Sequence, residues 1–185
     1  LTPTKILTAK HCVKKNGFKK PLFFILKPGK KAVKVTGIVK SSTEDIAIVT
    51  VPPQDANPVP LYLSGSPNVG DIGGIFGYGL DQNQESVFSK SRQDFLKYGI
   101  ISIGYVGQGF VAFQNASQGG ACHGDSGGPM LLQNQQGVAG IIGVASFVRG
   151  KADRCVAGNL AYYVNIQTPS VLSFIAKHAA DARAS

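Results

Sequence analysis

Three residue types able to run nucleophilic catalysis occur in the chain order His11, Asp45, Ser126. The densest signal surrounds the serine, in Cys122-His123-Gly124-Asp125-Ser126-Gly127-Gly128-Pro129. A serine hydroxyl is a weak nucleophile until a base takes its proton and donors receive the charge on the attacked oxygen. Glycines around Ser126 permit a sharp turn, so neighbouring N–H groups can point into one small space. Histidine is the natural proton shuttle near neutral pH, and a buried aspartate can fix its tautomer. His11 stands in Leu7-Thr8-Ala9-Lys10-His11-Cys12, and Asp45 precedes the apolar run Ile46-Ala47-Ile48-Val49. Alone, the histidine would pass for a core residue and the aspartate for a strand-end carboxylate. Their flanks argue otherwise.

Chain order separates two enzyme classes. Gly124-x-Ser126-x-Gly128 matches the nucleophile elbow of α/β-hydrolases, whose order is Ser, acid, His, and Asp153 and His178 could supply it. An elbow turns from a strand straight into a helix, however, and Gly127-Gly128-Pro129 would break one. Only 59 residues follow Ser126, without a parallel-sheet pattern. The order His, Asp, Ser survives.

The elements that must position these groups read as strands. Lys5–Thr8, Pro21–Leu26, Ala32–Val39 and Ile46–Val51 are β-rich runs separated by turn residues. A proline-rich stretch from Pro52 to Pro60 looks like a crossover between halves. Strand signals resume at Leu61–Leu63, Gly73–Gly77, Gly99–Tyr105, Phe110–Phe113, Pro129–Leu132, Val138–Phe147 and Leu160–Ile166. One helix is expected from Pro169, capped by Thr168, with a stripe of Val171, Leu172, Phe174, Ile175 and Ala179. The 185 residues are 43% apolar, with 23 glycines and 10 prolines, which excludes a helical bundle and a disordered chain. No apolar run approaches a membrane-spanning length.

In these motifs the chain resembles the chymotrypsin/trypsin-like serine protease family. Leu7–Cys12, Asp45–Ile48 and Gly124–Pro129 resemble its three signatures in order, and Gly77-Tyr78-Gly79 resembles the Gly-Trp-Gly at the entry to its second barrel. The resemblance implies an all-β fold of two antiparallel six-stranded barrels, the first incomplete, with a C-terminal helix. Residues 1–60 would form the partial first barrel carrying His11 and Asp45. Residues 61–168 would form the second, carrying Ser126 and the specificity pocket, and residues 169–185 the helix. It implies Ser126 as nucleophile, His11 as base and then acid, and Asp45 as the group orienting His11. The N–H groups of Gly124 and Ser126 would make the oxyanion hole.

The resemblance also bears on specificity and activation. Gly120 and Ala121 would form an apolar pocket floor without the carboxylate of a trypsin-like preference for Lys or Arg. Ser146-Phe147-Val148 would pair with substrate as an added strand, with Val148 narrowing the pocket toward small or medium aliphatic residues. Arg149, Lys151 and Arg154 could instead favour an acidic residue. Asp125 would pair with an amine freed by zymogen cleavage. Cys122 and Cys155 would bridge beside the pocket, and Cys12 would pair with an upstream cysteine. The chain starts at Leu1, without Met or a signal-like start, so an upstream segment is the expected partner of Cys12 and Asp125. The spacings, 34 residues from His11 to Asp45 and 81 from Asp45 to Ser126, suggest a microbial or simplified secreted member.

Charge and cysteines leave other openings. Residues 1–40 hold 11 lysines and no acidic residue, within a net charge of +9. That region could meet an anionic polymer or surface, although glycine and proline interrupt it and no nucleic-acid motif accompanies it. The adjacent pairs His11-Cys12 and Cys122-His123 point apart on a strand, so no metal is expected. No cofactor is expected either. Structural disulfides imply a secreted or periplasmic location. The rival reading is an inactive protease homologue that binds partners through its lysine-rich face; polypeptides are the substrates otherwise.

Overall fold

In the computed structural model the described residues are 1–13, 23–24, 32–80, 96–116, 120–150 and 156–185. The first part of the chain holds β1 (Lys5–Thr8), β2 (Phe23–Phe24), β3 (Val33–Lys34), β4 (Gly37–Lys40) and β5 (Ala47–Thr50). β5 lies between β1 and β4, antiparallel to both, with Ile48 opposite Leu7 and Val39. That central place explains its unbroken apolar run, since Ala47, Ile48 and Val49 are all buried. β2 and β3 form a separate ribbon.

The rest holds β6 (Ile72–Gly77), β7 (Lys97–Ser102), β8 (Tyr105–Gly107), β9 (Phe110–Gln114), β10 (Pro129–Gln133), β11 (Ala139–Arg149) and β12 (Leu160–Asn165), followed by α1 (Pro169–His178). The sheet order is β7-β6-β10-β11-β12-β9-β8. Its two end strands are separated in sequence only by Ile103 and Gly104. They are therefore two arms of one bent strand, which pairs with β6 through its first arm and with β9 through its second and so curls the sheet toward a barrel. Gly104 N–H donates to Ala112 O at 2.9 Å, which carries the β8–β9 ladder into the bend. Phe113, Met130, Ile142 and Tyr163 fill the interior. The fold is mostly β with one C-terminal helix, of the trypsin-like double-β-barrel type.

The expected strands differ in detail where the chain changes partner. Ala32–Val39 divides because β3 pairs with β2 while β4 pairs with β5. Gly99–Tyr105 divides at the bend between β7 and β8. Leu61–Leu63 makes only isolated bridges, from Leu61 to Ile141 and Ala184. Of Pro21–Leu26, only Phe23–Phe24 lies within the described residues. Thr168 stands at the start of α1, but its hydroxyl donates backward to Asn165 O at 2.9 Å and caps no helical N–H.

One apolar cluster joins the two parts. Ala9, Ile46 and Ile48 pack with Val144, Val164 and Ile166, and with Val171 and Ile175 of α1. Ala9 and Ile46 are sequence neighbours of the His11 turn and of Asp45. The same burial that docks the halves thus sets the positions of both polar groups.

Candidate active site

His11 lies in a 3-10 turn, Lys10–Val13, that follows β1. Asp45 lies just before β5, where Ser41 N–H closes the loop on Ile46 O at 3.0 Å. The two are joined twice. Asp45 Oδ1 accepts the His11 backbone N–H at 2.9 Å, and Oδ2 accepts from His11 Nδ1 at 2.7 Å. A carboxylate can only accept, so Nδ1 is the ring nitrogen that donates in this pair.

Ser146 adds a third hydrogen bond, its hydroxyl donating to Asp45 Oδ2 at 2.7 Å. Between Ala145 and Phe147 the β11–β12 register shifts, leaving Ser146 as the extra residue of a bulge. A bulge re-aims a side chain that strict alternation would send elsewhere. Burial by itself would raise the Asp45 carboxyl, but the hydrogen bonds from Ser146 and His11 outweigh it and hold it below its ordinary value.

The Ser126 loop is tied to β11 on both sides. Gly127 N–H donates to Ala145 O at 2.8 Å, and Ala145 N–H donates to Gly128 O at 2.9 Å. Gly124 and Gly127 have φ of 97° and 80°, a region that favours glycine. A side chain on Gly127 would also run into the Thr8 hydroxyl. Among the described residues, the N–H groups of Gly124 and Ser126 donate to no protein acceptor, and the Ser126 hydroxyl makes no hydrogen bond. The loop faces the His11 turn, since the thiol of Cys12 approaches Ser126 O at 3.6 Å. Cys12 itself is a free, exposed thiol.

Asp125 turns inward. Its Oδ1 accepts Gly79 N–H and its Oδ2 accepts Cys122 N–H, both at 2.8 Å. A Cβ on either Gly77 or Gly79 would fall on this carboxylate, which gives Gly77-Tyr78-Gly79 a physical reason. Burial raises the Asp125 carboxyl, opposed by those N–H groups and by the charge of Lys97. The Tyr163 hydroxyl is pushed well up by its burial and by the Asp125 charge.

A cavity of about 420 Å³ opens beside Ser126. Its lining includes Ala121, Cys122, Asp125, Ser146, Phe147, Val148, Arg149, Ala161 and Tyr163. Gly120 is not among the lining residues; it packs against Asn115, which occupies the place of its missing side chain. Phe147 stacks on Tyr162 with ring centroids 4.7 Å apart and meets Phe110 edge-on at 5.5 Å.

Three positioning residues escape a motif reading. The Ser146 hydroxyl serves Asp45, Lys97 stands near Asp125, and buried Asn115 brackets Ala121. Asn115 Nδ2 donates to Ala121 O at 3.0 Å, and its Oδ1 accepts Ala121 N–H at 3.1 Å. Only the serine of Ser146-Phe147-Val148 carried a signal, and that pointed to substrate. Cys155, Lys151, Arg154 and seven of the eleven lysines in residues 1–40 lie outside the described residues, and with them the expected Cys122–Cys155 bridge and most of the basic face. Among the described residues no cluster of His, Cys, Asp and Glu could hold a metal, and no helix is long and apolar enough to cross a membrane.

No curated protein matches the chain. A family model described as Trypsin matches residues 1–174, nearly the whole length. With a His11–Asp45 pair facing a glycine-bounded Ser126 loop inside that span, the chain belongs to the trypsin family of serine proteases.

Proposed function

We propose that the chain is an active serine endopeptidase working through Ser126, His11 and Asp45. The observation that carries this reading is the double grip of Asp45 on His11, backbone and ring. With Nδ1 so held, Nε2 is the ring nitrogen left to act as base on Ser126. His11 takes the Ser126 proton as Oγ bonds to the scissile carbonyl carbon. The oxyanion receives the free N–H groups of Gly124 and Ser126, and His11 returns the proton to the departing amine. Water then repeats the cycle on the acyl-enzyme, releasing the acid and restoring Ser126.

Polypeptide would pair with Ser146–Val148 as an added strand. The residue before the scissile bond would enter the cavity bounded by Ala121 and Val148, which suits small or medium apolar side chains. On this reading residues 1–60 would form the first barrel, 61–168 the second, and 169–185 the closing helical segment. A Cys122–Cys155 bridge would brace the pocket and stabilise the fold by roughly 3–4 kcal/mol for a loop of this length. Family members are commonly extracellular, and secretion fits such a bridge.

The test is digestion of peptides that differ only before the scissile bond, read by mass spectrometry. Cleavage after Ala, Val or Leu is expected, abolished in Ser126→Ala. A folded wild-type protein that cleaves none of them would favour an inactive homologue binding through its lysine-rich face.

A further inference from the structure

The half-buried Asp125 carboxylate belongs to the residue just before Ser126, and its two N–H partners come from Cys122 and Gly79. Gly79 is committed on both sides: its N–H donates to Asp125 Oδ1, and its C=O accepts from Lys97 Nζ, each at 2.8 Å. Lys97 opens β7 directly opposite Gly77, so strand register brings its side chain to this glycine segment. A buried carboxylate without a compensating cation is strongly unfavourable. Gly77 and Gly79, which must lack side chains to admit the carboxylate, are also the residues least able to hold a segment still.

We propose that the Lys97 ammonium is the cation that holds Asp125, through Gly79, in the orientation that shapes the oxyanion loop. Lys97 is a positioning residue, one residue removed from the carboxylate it serves. Asp125 senses its charge. The proposal rests on the serine protease reading for its catalytic consequence, but the ionic arrangement can be read separately.

The experiment compares wild-type full-length protein with Lys97→Arg and Lys97→Gln. Peptide hydrolysis is followed alongside the carboxyl ¹³C shift of Asp125, assigned through bonds, as a function of pH. Tyr163, His123, His11, Cys12 and Arg149, the other titratable and charged groups near the loop among the described residues, are the same in all three proteins. Lys97→Gln is expected to lower kcat by about tenfold or more with KM within twofold, because a poorly shaped oxyanion hole weakens the transition state rather than substrate binding. Lys97→Arg is expected to stay within threefold of wild type. The Asp125 titration should move upward in Lys97→Gln and stay near wild type in Lys97→Arg. Unchanged kcat and an unchanged Asp125 titration in Lys97→Gln would overturn the proposal, as would equal losses in both variants. If the wild type cleaves nothing, the protease reading fails, and the Asp125 titration alone decides Lys97: an upward move in Lys97→Gln upholds the ionic arrangement, and no move overturns it.

Discussion

The hydroxyl of Ser146 donates to Asp45 Oδ2 at 2.7 Å across 101 residues of sequence, joining the seven-stranded sheet to the three-stranded one. The bond makes the His–Asp pair a property of the docked halves rather than of the first half alone. The apolar cluster of Ile46, Ile48, Val144 and Val164 supplies the burial that holds the halves together.

Ser146→Ala is therefore expected to lower kcat by about tenfold, in line with losing one hydrogen bond to a charged group. Asp45 lies below its ordinary value in the folded chain, so the stability it contributes is present at neutral pH and lost as pH falls through that folded value. Removing the hydroxyl raises the folded value. The stability gap between wild type and variant should be open at pH 7 and close in acid. Urea denaturation at several pH values measures it, and a gap independent of pH would show that Ser146 acts by packing alone.

Gly79→Ala tests why that segment lacks side chains. Its Cβ would fall on the Asp125 carboxylate, so the carboxylate must move and the Ser126 loop with it. Activity is expected to drop by about a hundredfold, the scale of losing an oxyanion donor. Gly104→Ala is the control, because its Cβ would meet nothing nearer than Ala112 O at 3.9 Å. Equal activity in both variants would mean that the Asp125 position is not coupled to catalysis.

How legible the chain was depends on what each residue answers to. Ser126, His11 and Asp45 stand in fixed local motifs, so a linear reading finds them. The α1 stripe and the run through β5 were legible because burial on a regular element leaves a periodic trace. Ser146's hydrogen bond to Asp45 was not, because it depends on a bulge that no periodicity announces. Asn115 and Lys97 act on backbone groups, six and 18 residues away, and backbone groups carry no residue identity to read. Thr168 is the N-cap residue as expected, but its hydroxyl caps nothing, because a hydroxyl at a helix start can bond forward or backward.

Asn115 is 3% exposed and both ends of its amide bond to Ala121. Asn115→Leu leaves two backbone groups of Ala121 without partners, costing about 2–4 kcal/mol at the usual penalty for buried unmet groups. Thermal denaturation should show a clear fall in Tm, and KM should rise more than kcat falls because the pocket wall loosens. A variant as stable as wild type would contradict the bracket's structural role.

Pocket chemistry predicts poor cleavage after Lys or Arg. Among the described residues Asp125 is the only carboxylate lining the cavity, and two N–H groups already occupy it, while Arg149 adds a positive charge. Ala, Val and Leu are expected to exceed Lys and Arg by about a hundredfold in kcat/KM. Val148→Gly should raise cleavage after Phe relative to Ala. A preference for Glu would instead assign Arg149 a direct role in substrate choice.

The most direct measurement is covalent labelling of the folded, full-length protein with a fluorophosphonate, read by intact mass and peptide mapping. One label per chain, located on Ser126 and lost in His11→Ala, is the expected result. A folded protein that takes up no label, or takes it at a residue other than Ser126, would contradict the assignment of Ser126 as an activated nucleophile.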